Sequence, residues 1–206
     1  FNDLHIHSFN WPSLIDIINA FYQLPIFELI TATILMTFLS AFIAIGAPPI
    51  LLTLFPSKLA SSTLSILWTF FRVLPPPLTA LLILLCTTPS ISVAAVALAI
   101  KNIGVMGRLL NENLNHQDNS LFNAIKSSGA SNRIAWIYGK LTPQSKTYLT
   151  FASYRTDAIL RETAVVGIVG GIGLGWQLQE SLSSFAWNQV IAITITFTTI
   201  TLIGEF

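Results

Sequence analysis

Long apolar runs separated by short polar breaks dominate the chain. The first run, residues 26–46, is long enough to cross a bilayer, since a helix of about 20 apolar residues spans the hydrocarbon core. We expect Gly46, Pro48 and Pro49 to end this helix. Further runs follow at residues 59–86, 91–107, 147–177 and 190–204. The pattern predicts an all-α membrane protein with about five transmembrane helices.

Three consecutive prolines, Pro75 to Pro77, interrupt the second run. A helix cannot continue through them, because each lacks an N–H and crowds the preceding turn. In lipid the freed carbonyls need partners, so we expect the break to face the protein interior or a cavity. Arg72 lies just before it. This arginine either serves a translocation pathway or extends its side chain to the lipid headgroups.

The first 25 residues are mixed in polarity and predict an interfacial segment, 1–25, ahead of a transmembrane domain at 26–206. Ser13 is a suitable cap for an amphipathic helix over Leu14 to Leu24. His5 and His7 could ligate a metal, but no third ligand is near, so we favour a polar surface segment and no metal site. Because the sequence starts with Phe1 and stops after an apolar run, we expect a piece of a longer reading frame.

One polar stretch, residues 115–146, stands out between the third and fourth runs. Of the ten Lys and Arg residues, six lie between residues 101 and 147. The positive-inside rule therefore places the stretch in the cytoplasm, with the N-terminus outside and the C-terminus inside. We expect Lys101 and Arg108 to mark where the third span leaves the membrane, and the stretch to form a loop with a helix broken at Gly129.

Composition supports a membrane protein and argues against an enzyme. Hydrophobic residues make up 53% of the 206, and charged residues make up 9%. A soluble domain has about a quarter of its residues charged. The net charge of +1 gives no reason to expect nucleic-acid binding. The sequence contains no catalytic constellation, no ATP-binding glycine loop and no sign of a cofactor, so the chain cannot power active transport alone. We expect the single cysteine, Cys86, to be a small core residue.

The fourth run carries charges and glycines that a lipid-facing helix would not tolerate. Asp157 and Arg161 are four residues apart and can pair on one helix face. The charges are either pathway groups or structural ion pairs. Gly167, Gly171 and Gly175 are also spaced four apart, which suits close helix contact or a bend beside a pathway. The candidate pathway residues are Arg72, Arg155, Asp157, Arg161, Gly167, Gly170 and Gly171.

The polar stretch also carries a recognisable spacing. Asn123-Ala124-Ile125 is followed after three residues by Gly129, and after nine more by Gly139 and Leu141. This resembles the cytoplasmic loop of the permeases of binding-protein-dependent ABC transporters, which reads Glu-Ala-Ala, three residues, Gly, nine residues, an apolar residue, one residue, Leu-Pro. Two positions depart from it, because Asn123 replaces the glutamate and Thr142 replaces the proline.

Further stretches resemble the phosphonate-type permeases in particular, from about residue 27 to residue 204. They are Arg72-Val73-Leu74-Pro75, residues 97–107, Ser128-Gly129-Ala130-Ser131 with Tyr138-Gly139, Tyr154-Arg155 with Asp157, and residues 166–170 and 178–181. The resemblance implies an inner-membrane, multi-pass permease for phosphonate, phosphite or a related phosphorus oxyanion. It also implies a second permease copy, a periplasmic solute-binding protein and a cytoplasmic ATP-binding subunit, which would contact Asn123, Ala124, Ile125, Lys126, Gly129, Ala130, Arg133, Gly139 and Leu141.

Other readings stay open at this point. The cargo could be methionine, glycine betaine or another small solute. The chain could be a channel or scaffold that works without an ATPase, or a split or incomplete permease. The arginines near the pathway favour an anion as cargo, but arginines at such places can be purely structural.

Overall fold

The computed structural model describes residues 11–55, 58–170 and 172–205, and in these ranges it is helical with no strand. Ten α-helices and one π-helical turn follow one another. They are α1 (Leu14–Gln23), α2 (Ile26–Leu54), α3 (Lys58–Val73), α4 (Pro76–Leu84), α5 (Ile91–His116), α6 (Ser120–Ser127), α7 (Asn132–Trp136), the π-turn (Ile137–Leu141), α8 (Thr142–Gly170), α9 (Gly173–Ser183) and α10 (Trp187–Glu205).

Helices α2, α5 and α10 are each long and apolar enough to cross a membrane. Two bent pairs supply the remaining crossings: α3 and α4 meet at 92°, and the helix that ends at Gly170 meets α9 at 57°. Counting each bent pair as one span gives five, which confirms the predicted all-α membrane architecture.

Helix α1 begins at the predicted cap. The Ser13 hydroxyl accepts a hydrogen bond from the Asp16 backbone N–H at 3.2 Å, and the Asp16 carboxylate accepts one from the Ser13 backbone N–H at 3.0 Å. This reciprocal pair satisfies two free donors of the helix start. The hydrogen bonds from the Ser13 side chain and backbone lower the pKa of Asp16. His5 and His7 lie outside the described residues.

The prediction that Gly46, Pro48 and Pro49 end the first span is wrong, because α2 runs through both prolines to Leu54. Pro49 has no N–H to donate to the carbonyl of Ile45, four residues earlier. The hydroxyl of Tyr148, on α8, donates to that carbonyl instead, at 2.7 Å. A partner from another helix therefore allows α2 to continue where the local sequence alone would stop it.

The predicted break before the second half of the α3/α4 span is confirmed. Helix α3 ends at Val73, and α4 begins at Pro76. The Thr79 hydroxyl donates to the carbonyls of Pro76, at 2.8 Å, and Ala97, at 3.2 Å. Pro76 and Thr79 are buried, so the break faces the protein interior as expected. The expectation for Cys86 is wrong: it lies exposed in the turn after α4.

Helix α5 is the centre of the bundle and packs against α2, α3, α4 and α8. Its buried small residues let these neighbours come close; they are Ala94, Ala95, Ala97, Ala99, Gly104 and Gly107. At Gly104 a Cβ atom would lie 2.6 Å from the backbone of both Trp68 and Arg72. Because backbone cannot move as a flexible side chain does, α3 and α5 can be this close only with glycine at that position.

The Tyr148–Ile45 hydrogen bond yields a test of why α2 tolerates its prolines. Tyr148→Phe leaves a carbonyl of α2 without this donor and should lower the free energy of unfolding by about 1–3 kcal/mol. In a Pro49→Ala background the new N–H can serve Ile45, so the same change should cost clearly less. Thermal unfolding of the four proteins in detergent gives the coupling energy. Equal effects of Tyr148→Phe in both backgrounds would contradict the explanation.

Candidate functional site

The polar stretch is helical over most of its length. Helix α5 extends to His116, four residues further than 112, and α6, α7 and the π-turn fill the rest up to α8. The predicted interruption at Gly129 is confirmed, because α6 ends there with Gly129 at φ +90°, a left-handed conformation that favours glycine. Ser131 then caps α7 by accepting from the Ile134 backbone N–H at 3.4 Å.

Helix α6 is held against the π-turn at one close contact. A Cβ on Gly139 would lie 2.7 Å from the Cα of Phe122, so only glycine allows α6 to lie this close. The ammonium groups of Lys126 and Lys140 lie 6.0 and 5.9 Å from the centre of the Phe122 ring, at the outer range of a cation–π contact. Phe122 thus joins α6 to the start of the long α8 segment.

A second proline-freed carbonyl fixes the other side of the π-turn. Pro143 has no N–H to donate to Gly139, and the Gln117 side-chain amide donates to the Gly139 carbonyl at 3.4 Å. At the start of α6, hydrogen bonds from the Ser120 side chain and backbone lower the pKa of Asp118. The stretch therefore has a defined conformation that depends on Gly129, Gly139 and Pro143.

Most of the residues predicted to contact an ATP-binding subunit lie on the outside of this stretch. No residue of α6 is buried. The side chains of Asn123, Ala124, Lys126 and Arg133 are exposed, as is Gly129; Ile125, Ala130 and Leu141 are half-buried; Gly139 is buried. Two apolar side chains are also exposed here, Leu121 at 47% and Ile134 at 48%. A helix with no covered face and exposed apolar residues is suited to a partner protein.

Behind α6 lies a cavity of about 700 Å³. It is bounded by the ends of α2, α3 and α5, by α6 and by the π-turn, and Asn123 lines it. Its polar lining consists of Ser61, Ser62, Ser65, Asn111, Asn115, Asn119, Asn123 and Lys140. Ser61 donates to the Asn111 side-chain oxygen at 2.6 Å across one wall. The sequence did not indicate this cavity, since its walls come from five separate segments.

The structure brings together a charged cluster that the sequence indicated only in part. Glu162 on α8 accepts hydrogen bonds from Lys101 at 2.8 Å, from Arg155 at 3.0 Å and from Asn102 at 3.2 Å. Arg155 also donates to the Asn102 side chain. We call Lys101, Asn102, Arg155 and Glu162 the α5/α8 cluster. The prediction that Lys101 marks the exit of the third span is wrong, because α5 continues for fifteen further residues and Lys101 pairs inside the bundle.

The α5/α8 cluster carries one more positive than negative charge. Two cations, Lys101 and Arg155, surround one carboxylate. Asn102 is fully buried, whereas the side chains of Lys101, Arg155 and Glu162 keep 26%, 20% and 22% of their area exposed. The cluster therefore reaches the surface on one face of the α5/α8 pair.

The predicted Asp157–Arg161 pair is confirmed, with 2.9 Å between Arg161 Nη2 and Asp157 Oδ2. Arg161 also pairs with Glu205 at the end of α10. Because α10 has 19 residues and rises ~29 Å, its two ends lie about one hydrocarbon thickness apart. Arg161 and its neighbour Glu162 therefore lie near the cytoplasmic boundary of the membrane and not at its centre.

Other predicted pathway residues have different surroundings. Arg72 is exposed at the end of α3 and forms no ion pair within the described ranges. Gly167 and Gly170 are buried at close contacts: a Cβ would lie 2.9 Å from the Ile172 carbonyl and 3.1 Å from the Ala94 Cβ, respectively. Gly171 lies outside the described residues. The described part of the chain holds no group of three His, Cys, Asp or Glu residues that could bind a metal.

No protein-family model matches the chain. A solved amino acid ABC transporter, crystallised with histidines, has a similar structure, with a TM-score of 0.73 over 95% of both chains and 21% sequence identity. At this identity the similarity establishes the fold. The protein is an all-α membrane protein with the fold of an ABC transporter permease.

Its sequence relatives narrow the class. The chain is 29% identical to PhnE2 of Escherichia coli (strain K12), a permease named for a cryptic phosphonate transport system, over 48% of this chain and 81% of that protein. It is 27% identical to the phosphite transport system permease protein PtxC of Stutzerimonas stutzeri, over 53% of this chain and 40% of PtxC. It is also 27% identical to the phosphate-import permease protein PhnE of Mycolicibacterium smegmatis, over 61% of this chain and 24% of PhnE. The resemblance to phosphonate- and phosphite-type permeases, inferred from the motifs, is confirmed.

The α5/α8 cluster yields a test of its own stability. Glu162→Gln leaves Lys101 and Arg155 beside each other without their carboxylate, so we expect a loss of about 1–3 kcal/mol in the free energy of unfolding. Glu112→Gln is the matched control, because Glu112 is 56% exposed and pairs with Arg108 one helical turn away. Such a surface pair contributes about 0.5 kcal/mol or less. Similar melting temperatures of the two variants in detergent would contradict the assignment.

Proposed function

We propose that the chain is the membrane-spanning permease subunit of an ABC importer for phosphonate, phosphite or a related phosphorus oxyanion. ATP hydrolysis takes place in a separate subunit, and this chain needs no cofactor. The observation that carries the proposal is the similarity to three permeases whose names specify phosphonate, phosphite and phosphate import. The ABC permease fold and the surplus positive charge of the α5/α8 cluster support it.

The cytoplasmic ATP-binding subunit docks on α6 and the turn that follows it. This placement is supported by the exposure of α6 and by the positive-inside rule. The contact residues are Asn123, Ala124, Ile125, Lys126, Gly129, Ala130 and Arg133, while Gly139 and Leu141 fix α6 from behind. Because α7, the π-turn and α8 follow one another without a break, a push on α6 is passed through Phe122 and Gly139 to α8.

Asn123 limits the electrostatic part of this contact. The related loop motif has a glutamate at this position, and asparagine carries no charge to pair with a basic group on the ATPase. Docking here rests instead on the turn at Gly129, on exposed apolar groups such as Ile134, and on the cations Lys126 and Arg133.

The remaining partners follow from the membrane environment. The permease lies in a bacterial inner membrane surrounded by lipid, with a second permease copy beside it and a periplasmic solute-binding protein above. Partly exposed charges near the membrane boundary need water or protein around them, which supports a pathway between two copies. The pathway residues we propose are Arg72, Arg155, Asp157, Arg161, Gly167, Gly170 and Gly171.

A different cargo is the main alternative within this class. The solved structure with the same fold is an amino acid transporter, and small solutes such as methionine or glycine betaine would need the same coupling but no surplus positive charge. A channel that works without an ATPase, or an incomplete permease that needs a second segment, would leave the exposed α6 without a use.

The proposal is tested by transport in vesicles. The chain is reconstituted with the ATP-binding subunit and the binding protein encoded beside it, and uptake of phosphite, methylphosphonate, methionine and glycine betaine is measured. We expect uptake of the phosphorus oxyanions that requires ATP inside the ATPase-accessible compartment. Uptake of methionine or glycine betaine alone would contradict the cargo, and uptake without ATP would contradict the class.

The Gly129 turn gives a test of coupling. Gly129→Val places a β-branched residue at φ +90°, a strained conformation, although no neighbouring atom lies within 4 Å of the new Cβ. We expect several-fold weaker co-purification with the ATP-binding subunit. Gly129→Asn is the control, because asparagine tolerates left-handed φ, and it should retain most of the binding. Coupling through this turn is refuted if both variants bind and transport like the wild type.

A further inference from the structure

The α5/α8 cluster has many more hydrogen-bond donors than it uses. Lys101 has three N–H donors, and Arg155 has five. The ammonium of Lys101 donates once, to Glu162, and the guanidinium of Arg155 donates to Asn102 and to Glu162. About five donors are therefore unspent, within a half-buried site that already carries a surplus positive charge.

Such a surplus of charge and donors matches an anion with several acceptor oxygens. Half-buried cations without full compensation are costly, and an anion that enters the site removes that cost. A tetrahedral phosphorus oxyanion offers three or four oxygens that can accept from a guanidinium and an ammonium at once. We propose that Lys101 and Arg155 form a binding site for a phosphorus oxyanion, with Glu162 as the internal group that holds both cations in place and competes with the anion.

The site's position suits the last step of passage. Glu162 follows Arg161, whose pair with Glu205 lies at the cytoplasmic end of α10. Arg155 and Glu162 are seven residues apart and share one face of α8, whereas Asp157 and Arg161 occupy another. The cluster therefore faces away from the α10 ion pairs. An anion here is close to the cytoplasm, and the Glu162 carboxylate returns to its cations when the anion leaves.

This inference rests on the proposed function for its pathway role, but its binding step is measured without the other subunits. The melting temperature of the detergent-purified chain is followed as sodium phosphite is added, at ionic strength held constant with sodium chloride. We expect a saturating rise, since a ligand that binds only the folded protein stabilises it. The rise should be lost in Arg155→Gln and Lys101→Gln. It should persist in Arg108→Gln, which removes the same charge from a surface ion pair on α5.

Glu162→Gln keeps the test decisive if an Arg155 variant does not fold. Without its carboxylate the cluster has two uncompensated cations, so phosphite should raise the melting temperature of this variant more than that of the wild type. Glu112→Gln should respond like the wild type. No rise in the wild type, or an unchanged rise in Glu162→Gln and the cation variants, overturns the proposed site.

A second arm separates a free anion from a lipid headgroup, which carries the same phosphate chemistry. The titration is repeated with phosphatidylglycerol added to the micelles in place of phosphite. A rise with phosphatidylglycerol alone, lost in Arg155→Gln, assigns the cluster to lipid and overturns the pathway role. Anion binding that persists while vesicle uptake of phosphite fails contradicts the importer, and uptake that persists in Arg155→Gln and Lys101→Gln contradicts the site.

Discussion

The need to give every buried backbone carbonyl a partner governs this fold. Within hydrocarbon no water can replace a lost hydrogen bond, and this chain has prolines inside two of its long helical segments. Tyr148 reaches from α8 to the Ile45 carbonyl of α2, and Gln117 reaches from the end of α5 to the Gly139 carbonyl of the π-turn. Each of these contacts ties a distorted helix to another segment, so local irregularity and tertiary packing depend on each other.

Close packing around α5 is the second requirement, and it prepares the polar contacts. The alanines and glycines of α5 allow the backbones of α2, α3, α4 and α8 to approach it. At this spacing Asn102 is fully buried and still reaches Glu162 on α8. The same closeness gives Arg155 and Lys101 a common carboxylate. A charged group can thus be held firmly near the membrane boundary without facing lipid.

The cytoplasmic end repeats this arrangement on a smaller scale. Gly139 allows α6 to rest on the π-turn through Phe122, and the positive φ of Gly129 turns the chain towards α7. The result is an exposed short helix rigidly connected to α8, which also carries Arg155 and Glu162. One continuous helical segment therefore links the surface proposed for the ATP-binding subunit to the proposed anion site. This physical link is what the proposed function requires of a permease.

The sequence by itself determined the class of the protein. Apolar runs of membrane-spanning length, the triple proline and the motif around Gly129 predicted the helical membrane architecture, the α3/α4 break and the family resemblance, because these are properties of neighbouring residues. Only the tertiary structure decided that α2 continues past Pro49, that Lys101 pairs inside the bundle and that Cys86 is exposed. In each case the deciding partner, or its absence, concerns residues far away in sequence: Tyr148 lies 103 residues from Ile45, and Glu162 lies 61 from Lys101. A local pattern contains no information about such distant partners, so it could indicate which residues are unusual but not how the fold would satisfy them.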